Sequence, residues 1–142
     1  LFVHAGLSAR LLERDLEMDT LNARMSEGLY RTSKERREDP TLEFLYRSAG
    51  PVWYRGMVCA DEKYDPLTPE QTDALLRRYD ADRLLVGHTI FPDISTFHDG
   101  RVIAVNVQNE LNRRKNRGRA VLIEGSRISV VGNRGVKRVL EE

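Results

Sequence analysis

Only three histidines occur among the 142 residues, and two of them, His4 and His88, stand in matched surroundings. His4 follows Leu1-Phe2-Val3 and precedes Ala5-Gly6; His88 follows Leu84-Leu85-Val86-Gly87. A short apolar run ending in small residues reads as a strand that delivers an imidazole at its C-terminal end. Neutral imidazole is a strong ligand for divalent transition metals, and a strand end holds it with little freedom. Small neighbours let the chain bend and let an ion or substrate approach closely. Either histidine alone reads more readily as a hydrogen-bonded structural residue, but the pair points to a metal site with His4 and His88 as ligands. The third chemically unusual segment is Gly50-Pro51-Val52-Trp53-Tyr54-Arg55-Gly56, which holds the only tryptophan of the chain. Arg55 there has the setting of an anion clamp, because a guanidinium can grip phosphate oxygens in a bidentate fork. An aromatic plug with a surface arginine fits the same composition equally well. His98, beside Asp99-Gly100, lacks the strand-end context and is expected to be exposed and inert.

The elements that must position these residues alternate between helix and strand. Residues 9–47 are long, charged and helix-favouring. Leu21, Met25 and Leu29 recur at four-residue spacing, and Leu42, Leu45 and Tyr46 form a second short segment after Pro40. The charged run from Lys34 to Asp39 is expected to end the first long helix. This region is read as a helical insertion or cover between sheet elements, with plain structural helices the simpler form of the same reading. A further helix is expected over 68–79, where Thr68, Pro69 and Gln71 make a capping box with proline at the first helical position. The stretch 82–131 reads as mainly β. Asp99-Gly100 signals a hairpin between Ile94–Phe97 and Val102–Val107, and Gly125-Ser126 another between Ala120–Ile123 and Ile128–Val131. Asn109–Gly118 reads as a polar, basic connection, and the tail from Asn133 to Glu142 as charged, with Val136, Val139 and Leu140 alone to dock it.

Bulk composition excludes several classes. Lys plus Arg (23) nearly balance Asp plus Glu (22), so a net charge of +1 gives no general attraction to nucleic acid or membrane. The basic residues Arg113, Arg114, Lys115, Arg117 and Arg119 read as a surface loop before they read as a nucleic-acid patch. One cysteine, Cys59, rules out an intrachain disulfide and a cysteine-based zinc cluster. Nothing approaches the roughly 18 apolar residues of a spanning helix, and no signal peptide is visible. A chain that opens inside a buried apolar strand is expected to continue upstream of Leu1.

Val-His-Ala-Gly-Leu-Ser (3–8), Gly-Pro-Val-Trp-Tyr-Arg-Gly (50–56) and Val-Gly-His-Thr (86–89) together resemble, in order, motifs of the calcineurin-like metallophosphatases. The resemblance is greatest to the bacterial Shewanella-like branch of the phosphoprotein phosphatases, and it covers residues 1 to about 108. It implies an α/β fold, the C-terminal part of a four-layer metallophosphatase sandwich with mixed sheets. It also implies phosphomonoester hydrolysis by a hydroxide activated between two divalent ions (Mn, Fe or Zn) about 3.5–4 Å apart. His4 and His88 would bind one of those ions, and Arg55 the substrate phosphate. Both imidazoles must be neutral to ligate, so activity should fall on acidification. Ala5 stands where the family usually has glycine. The family's Asp-x-His, Gly-Asp-x-x-Asp-Arg-Gly and Gly-Asn-His-Glu segments are absent, so the chain reads as the C-terminal portion of one phosphatase domain, inactive alone. The implied substrate is a phosphorylated protein or peptide, on Ser/Thr or Tyr, or a small phosphoester. A non-catalytic scaffold derived from a phosphatase is the alternative, and compartment and oligomeric state stay open.

Overall fold

The computed structural model describes residues 1–141, and the side chains of all of these except Lys137 and Glu141. A four-stranded mixed sheet runs in the order β1-β2-β4-β3, where β1 is Phe2–Val3, β2 Leu84–Val86, β3 Ser95–Phe97 and β4 Val102–Ala104. β1, β2 and β4 are mutually parallel, and β3 is antiparallel to β4. Parallel neighbours need a long crossover, and the chain between β1 and β2 supplies it as helices. These are α1 (Met18–Leu29), α2 (Ser33–Glu38), α3 (Pro40–Tyr46) and α4 (Pro69–Arg78). After the short helix α5 (Asn109–Arg114), a second, antiparallel sheet follows in the order β5-β6-β7: Ala120–Glu124, Arg127–Gly132 and Gly135–Glu141.

The central strands explain the layering. β2 and β4 are buried throughout, as their continuous apolar sequences require when both faces are covered. Successive side chains point to opposite faces of a strand. Leu84, Val86, Val102 and Ala104 therefore join Leu45 of α3 and Leu75 and Leu76 of α4 in one core. Leu85 and Ile103 face the other way and pack with Ile94, Val107, Ile128 and Val130 under the second sheet. Helices, mixed sheet and antiparallel sheet thus form successive layers of an α/β fold.

Several sequence expectations change. The opening strand is not buried: β1 is an edge strand, and Phe2 is 73% exposed. The first long helix ends at Leu29, before the charged run. That run forms its own helix, α2, because Thr32 and Glu35 close a reciprocal capping box. Leu29 is exposed, and the inward face of α1 is completed by Gly28, which lies against the Tyr46 ring. The polar connection 109–118 contains α5. Basic residues in and just after it are partly tied inward, Arg117 to Asn112 and Arg119 to Asp93 at 2.9 Å. The tail is a full strand, β7, paired along β6; Glu142 lies outside the described residues. The hairpin at Asp99-Gly100, the hairpin at Gly125-Ser126 and the capped helix at 69–78 are found as expected.

Candidate functional site

Because β1 and β2 are parallel and in register (Val3 opposite Val86), the residues that follow them emerge at the same sheet edge. Ligands gather at the carboxyl ends of parallel strands for this reason. His4 and His88 are those residues. The Gly87 N–H donates to the His4 carbonyl at 3.0 Å, and a Cβ on Gly87 would stand 3.1 Å from that oxygen. Glycine here lets the two strand ends close up. His88 itself adopts a left-handed backbone (φ 57°), and Asn106, just past β4, donates from its side-chain amide to the His88 carbonyl at 3.2 Å.

The two imidazoles face each other: His4 Nε2 lies 3.2 Å from His88 Nδ1, with ring centroids 5.1 Å apart. Arg55 comes from the far side. Its Nη2 is 3.0 Å from His88 Nε2. A guanidinium has no acceptor, so His88 Nε2 must accept, and neutral His88 then carries its proton on Nδ1 and donates it to His4 Nε2. Burial lowers the pKa of His88, and the charge of Arg55 and the neighbouring His4 push the same way. These influences all favour neutral His88, the form in which imidazole ligates. Trp53, half-exposed, stands edge-on to His88 with ring centroids 5.2 Å apart.

The loop carrying Arg55 is fixed from several directions. The Ala5 N–H donates to the Pro51 carbonyl at 2.9 Å, which joins the His4 turn to this loop. Ala5 is fully buried without positive φ, so its methyl fits where the resemblance leads one to expect glycine. Buried Tyr54 donates its hydroxyl to the Asp65 carbonyl, and burial, with the Asp65 charge, holds that hydroxyl's pKa far above its ordinary value. Gly50 lies on the Leu45 carbonyl so closely that a Cβ would fall 2.2 Å from it.

The structure thus brings His4, His88 and Arg55 into one contiguous chain of contacts, and it does not add His98. That residue is not exposed and inert, as its turn setting led one to expect. It is half-buried: Nε2 meets the Met57 carbonyl at 3.0 Å, and Nδ1 meets Thr72 Oγ1 at 3.2 Å. It pins β3 and α4 to the segment just after Arg55. Sequence reasoning marked Trp53 only as part of the unusual Gly50–Gly56 segment and did not place it, or Asn106, beside His88; no local pattern marks Asn106.

Facing nitrogens 3.2 Å apart are a separation that two ligand atoms, each about 2.0–2.1 Å from one ion, can span once the His88 proton moves from Nδ1 to Nε2, which requires Arg55 to turn away. Among the described residues no group of three or more His, Cys, Asp or Glu side chains gathers to complete such a site. The pair fits part of a metal sphere.

No family model matches the chain, and no curated protein sequence matches it either. Solved structures do. A cold-active protein tyrosine phosphatase determined at 1.1 Å is 25% identical, with a TM-score of 0.83, and the match covers 97% of this chain and 38% of that one. The cold-active protein tyrosine phosphatase of a psychrophilic Shewanella species, and a point mutant of a cold-active protein tyrosine phosphatase, each show 26% identity and a TM-score of 0.84. These two cover 98% of this chain and 40% of theirs. The chain is similar in structure to part of these phosphatases. It spans 38–40% of the length of the structures it matches.

Proposed function

We propose that the chain is the C-terminal portion of a metal-dependent phosphomonoesterase of the calcineurin-like, four-layer type, acting on phosphorylated protein or peptide. The observation that carries this reading is the convergence of His4, His88 and Arg55 at the C-terminal edge of parallel strands. His4 and His88 would hold one of two divalent ions, manganese, iron or zinc, whose other ligands come from residues outside this chain. Such ions, when bound, supply a low-pKa water and neutralise charge on the phosphoryl group.

What this chain's own residues do follows from their hydrogen bonding. His88 has one lone pair available in its neutral form, and Arg55 now occupies it. Ligation by His88 requires that lone pair, so Arg55 must release the imidazole, and its freed N–H fork then faces the site. A phosphoryl group bound there receives two charge-assisted hydrogen bonds from Arg55, which strengthen as negative charge builds on the non-bridging oxygens. Trp53 shields one side of His88 from water. Because the chain provides two ligands, and a catalytic ion takes three or more from protein, the 142 residues alone are expected to be inactive.

The test is turnover of phosphoseryl, phosphothreonyl and phosphotyrosyl peptides by the longer protein, metal-stripped and reconstituted with manganese, beside the isolated chain. The reading requires metal-restored turnover in the longer protein alone. Turnover by the isolated chain, or no turnover by the longer protein with any metal, would contradict it; the second outcome would favour a binding scaffold.

A further inference from the structure

Beside the Arg55 site lies an open trough of about 850 Å³, with Arg55, Trp53 and Tyr64 on its walls. Two further guanidiniums, Arg10 and Arg47, line it. Arg10 sits on the short 3-10 turn Ala9–Leu11, and Arg47 at the end of α3. The two elements are tied together by Ser8, whose hydroxyl donates to the Ala49 carbonyl at 2.7 Å. Both arginines are exposed, and among the described residues neither has a carboxylate partner. That contrasts with the habit of the rest of the molecule. Arg24 pairs with Glu27 and Asp39, Arg78 with Asp15 and Glu17, and Arg101 with Asp73. Lys63, also in the trough, is answered by Asp61 at 2.8 Å. Among the described residues, Asp65 is the one carboxylate on the lining, set against four cations.

A trough that leaves Arg10 and Arg47 unanswered, next to a third arginine placed for phosphate, is complementary to a ligand with more than one negative group. The space is open and, at about 850 Å³, larger than one phosphorylated side chain at Arg55 needs. Its exposed aromatic wall suits an extended segment of polypeptide. We propose that the substrate is a phosphorylated peptide segment with acidic side chains flanking the phosphorylated residue, and that Arg10 and Arg47 select those acids. The proposal rests on the reading of Arg55 and the two histidines as a phosphoester site.

The test uses the longer protein and two phosphopeptides identical except that one carries Asp and Glu, and the other Asn and Gln, at the flanking positions. Binding is read by fluorescence anisotropy with non-hydrolysable phosphonate analogues, and hydrolysis as kcat/KM. Two exposed charge pairs support a preference for the acidic peptide on the order of tenfold, weakening as salt is raised. The double variant Arg10→Gln with Arg47→Gln should abolish the preference, and Arg10→Glu with Arg47→Glu should invert it toward a lysine-flanked peptide. No preference in the unaltered protein, a preference that survives both double variants, or equal losses on both peptides would overturn the proposal. Displacement of the peptide by a single-stranded oligonucleotide as effectively as by free acidic peptide would overturn it too. The two readings fail separately. Charge-selective binding without hydrolysis of either peptide upholds the subsite and counts against the phosphatase, whereas hydrolysis without selectivity does the reverse.

Discussion

Replacing Arg55 by alanine tests the clamp without touching either histidine, and two independent readouts follow from its place in the structure. The guanidinium is half-buried, 3.0 Å from His88 Nε2 and 5.8 Å above the Tyr64 ring. In that partly shielded setting, loss of a charged donor to a developing oxyanion costs about 2.7 kcal/mol, the lower end of what such donors contribute. That corresponds to about a hundredfold in kcat/KM for phosphopeptide hydrolysis by the longer protein. Arg55→Lys keeps the charge and loses the fork, so it should fall between the two. The second readout needs neither metal nor substrate. Without the guanidinium, one of the three influences that lower the His88 pKa is removed, while burial and His4 remain. The His88 midpoint, followed by imidazole NMR in the metal-free protein, should therefore move part of the way up toward an ordinary histidine. A loss of kcat/KM below tenfold, or an unmoved His88 midpoint, would refute the reasoning.

Three further outcomes are expected. Gly50→Ala places a Cβ 2.2 Å from the Leu45 carbonyl and 2.4 Å from that of Phe44, both backbone atoms that cannot swing aside; chemical denaturation should show a loss of about 3 kcal/mol or more. His98→Ala leaves the Met57 carbonyl without its side-chain donor and takes one of two partners from the Thr72 hydroxyl, which keeps the Thr68 carbonyl, a loss of about 1–3 kcal/mol in the same assay. Acidification should destabilise the metal-free fold through His88. Its folded pKa lies below the unfolded value of about 6.5, so the unfolded chain binds the proton first, and stability rises with pH through the window between the two. Urea midpoints of the unaltered chain and of His88→Gln, compared between pH 5 and 8, should diverge in that window; parallel curves would remove His88 as the cause.

How much of this was legible in the chain differs from residue to residue. His4 and His88 could be paired from their strand-plus-glycine settings alone, and the parallel register of β1 and β2 then brings them face to face. Arg55 was marked by its aromatic, glycine-rich surroundings, but its contact with His88, 33 residues away, depends on how the loop docks against Ala5. His98 was misread because a turn neighbour usually means solvent, whereas here Met57 and Thr72, far off in sequence, enclose it. Helix α2 could have been read, since Thr32 and Glu35 follow the same capping rule that located α4 through Thr68 and Gln71. Charge counting concealed it. Strand β7 was concealed in the same way, because its valines dock only through pairing with β6. Arg10 and Arg47 carry no local signal at all. Their meaning lies in having no carboxylate partner among the described residues, which only the folded chain reveals.

The most direct measurement counts divalent ions per chain in the longer protein, by metal analysis and manganese EPR, together with its phosphopeptide turnover, for the unaltered protein, His4→Ala and His88→Ala. The expected result is that each histidine variant loses one of two ions and at least a hundredfold in turnover. Retention of both ions and of full turnover after either substitution, or full turnover by the metal-stripped protein, would contradict a metal site built on His4 and His88.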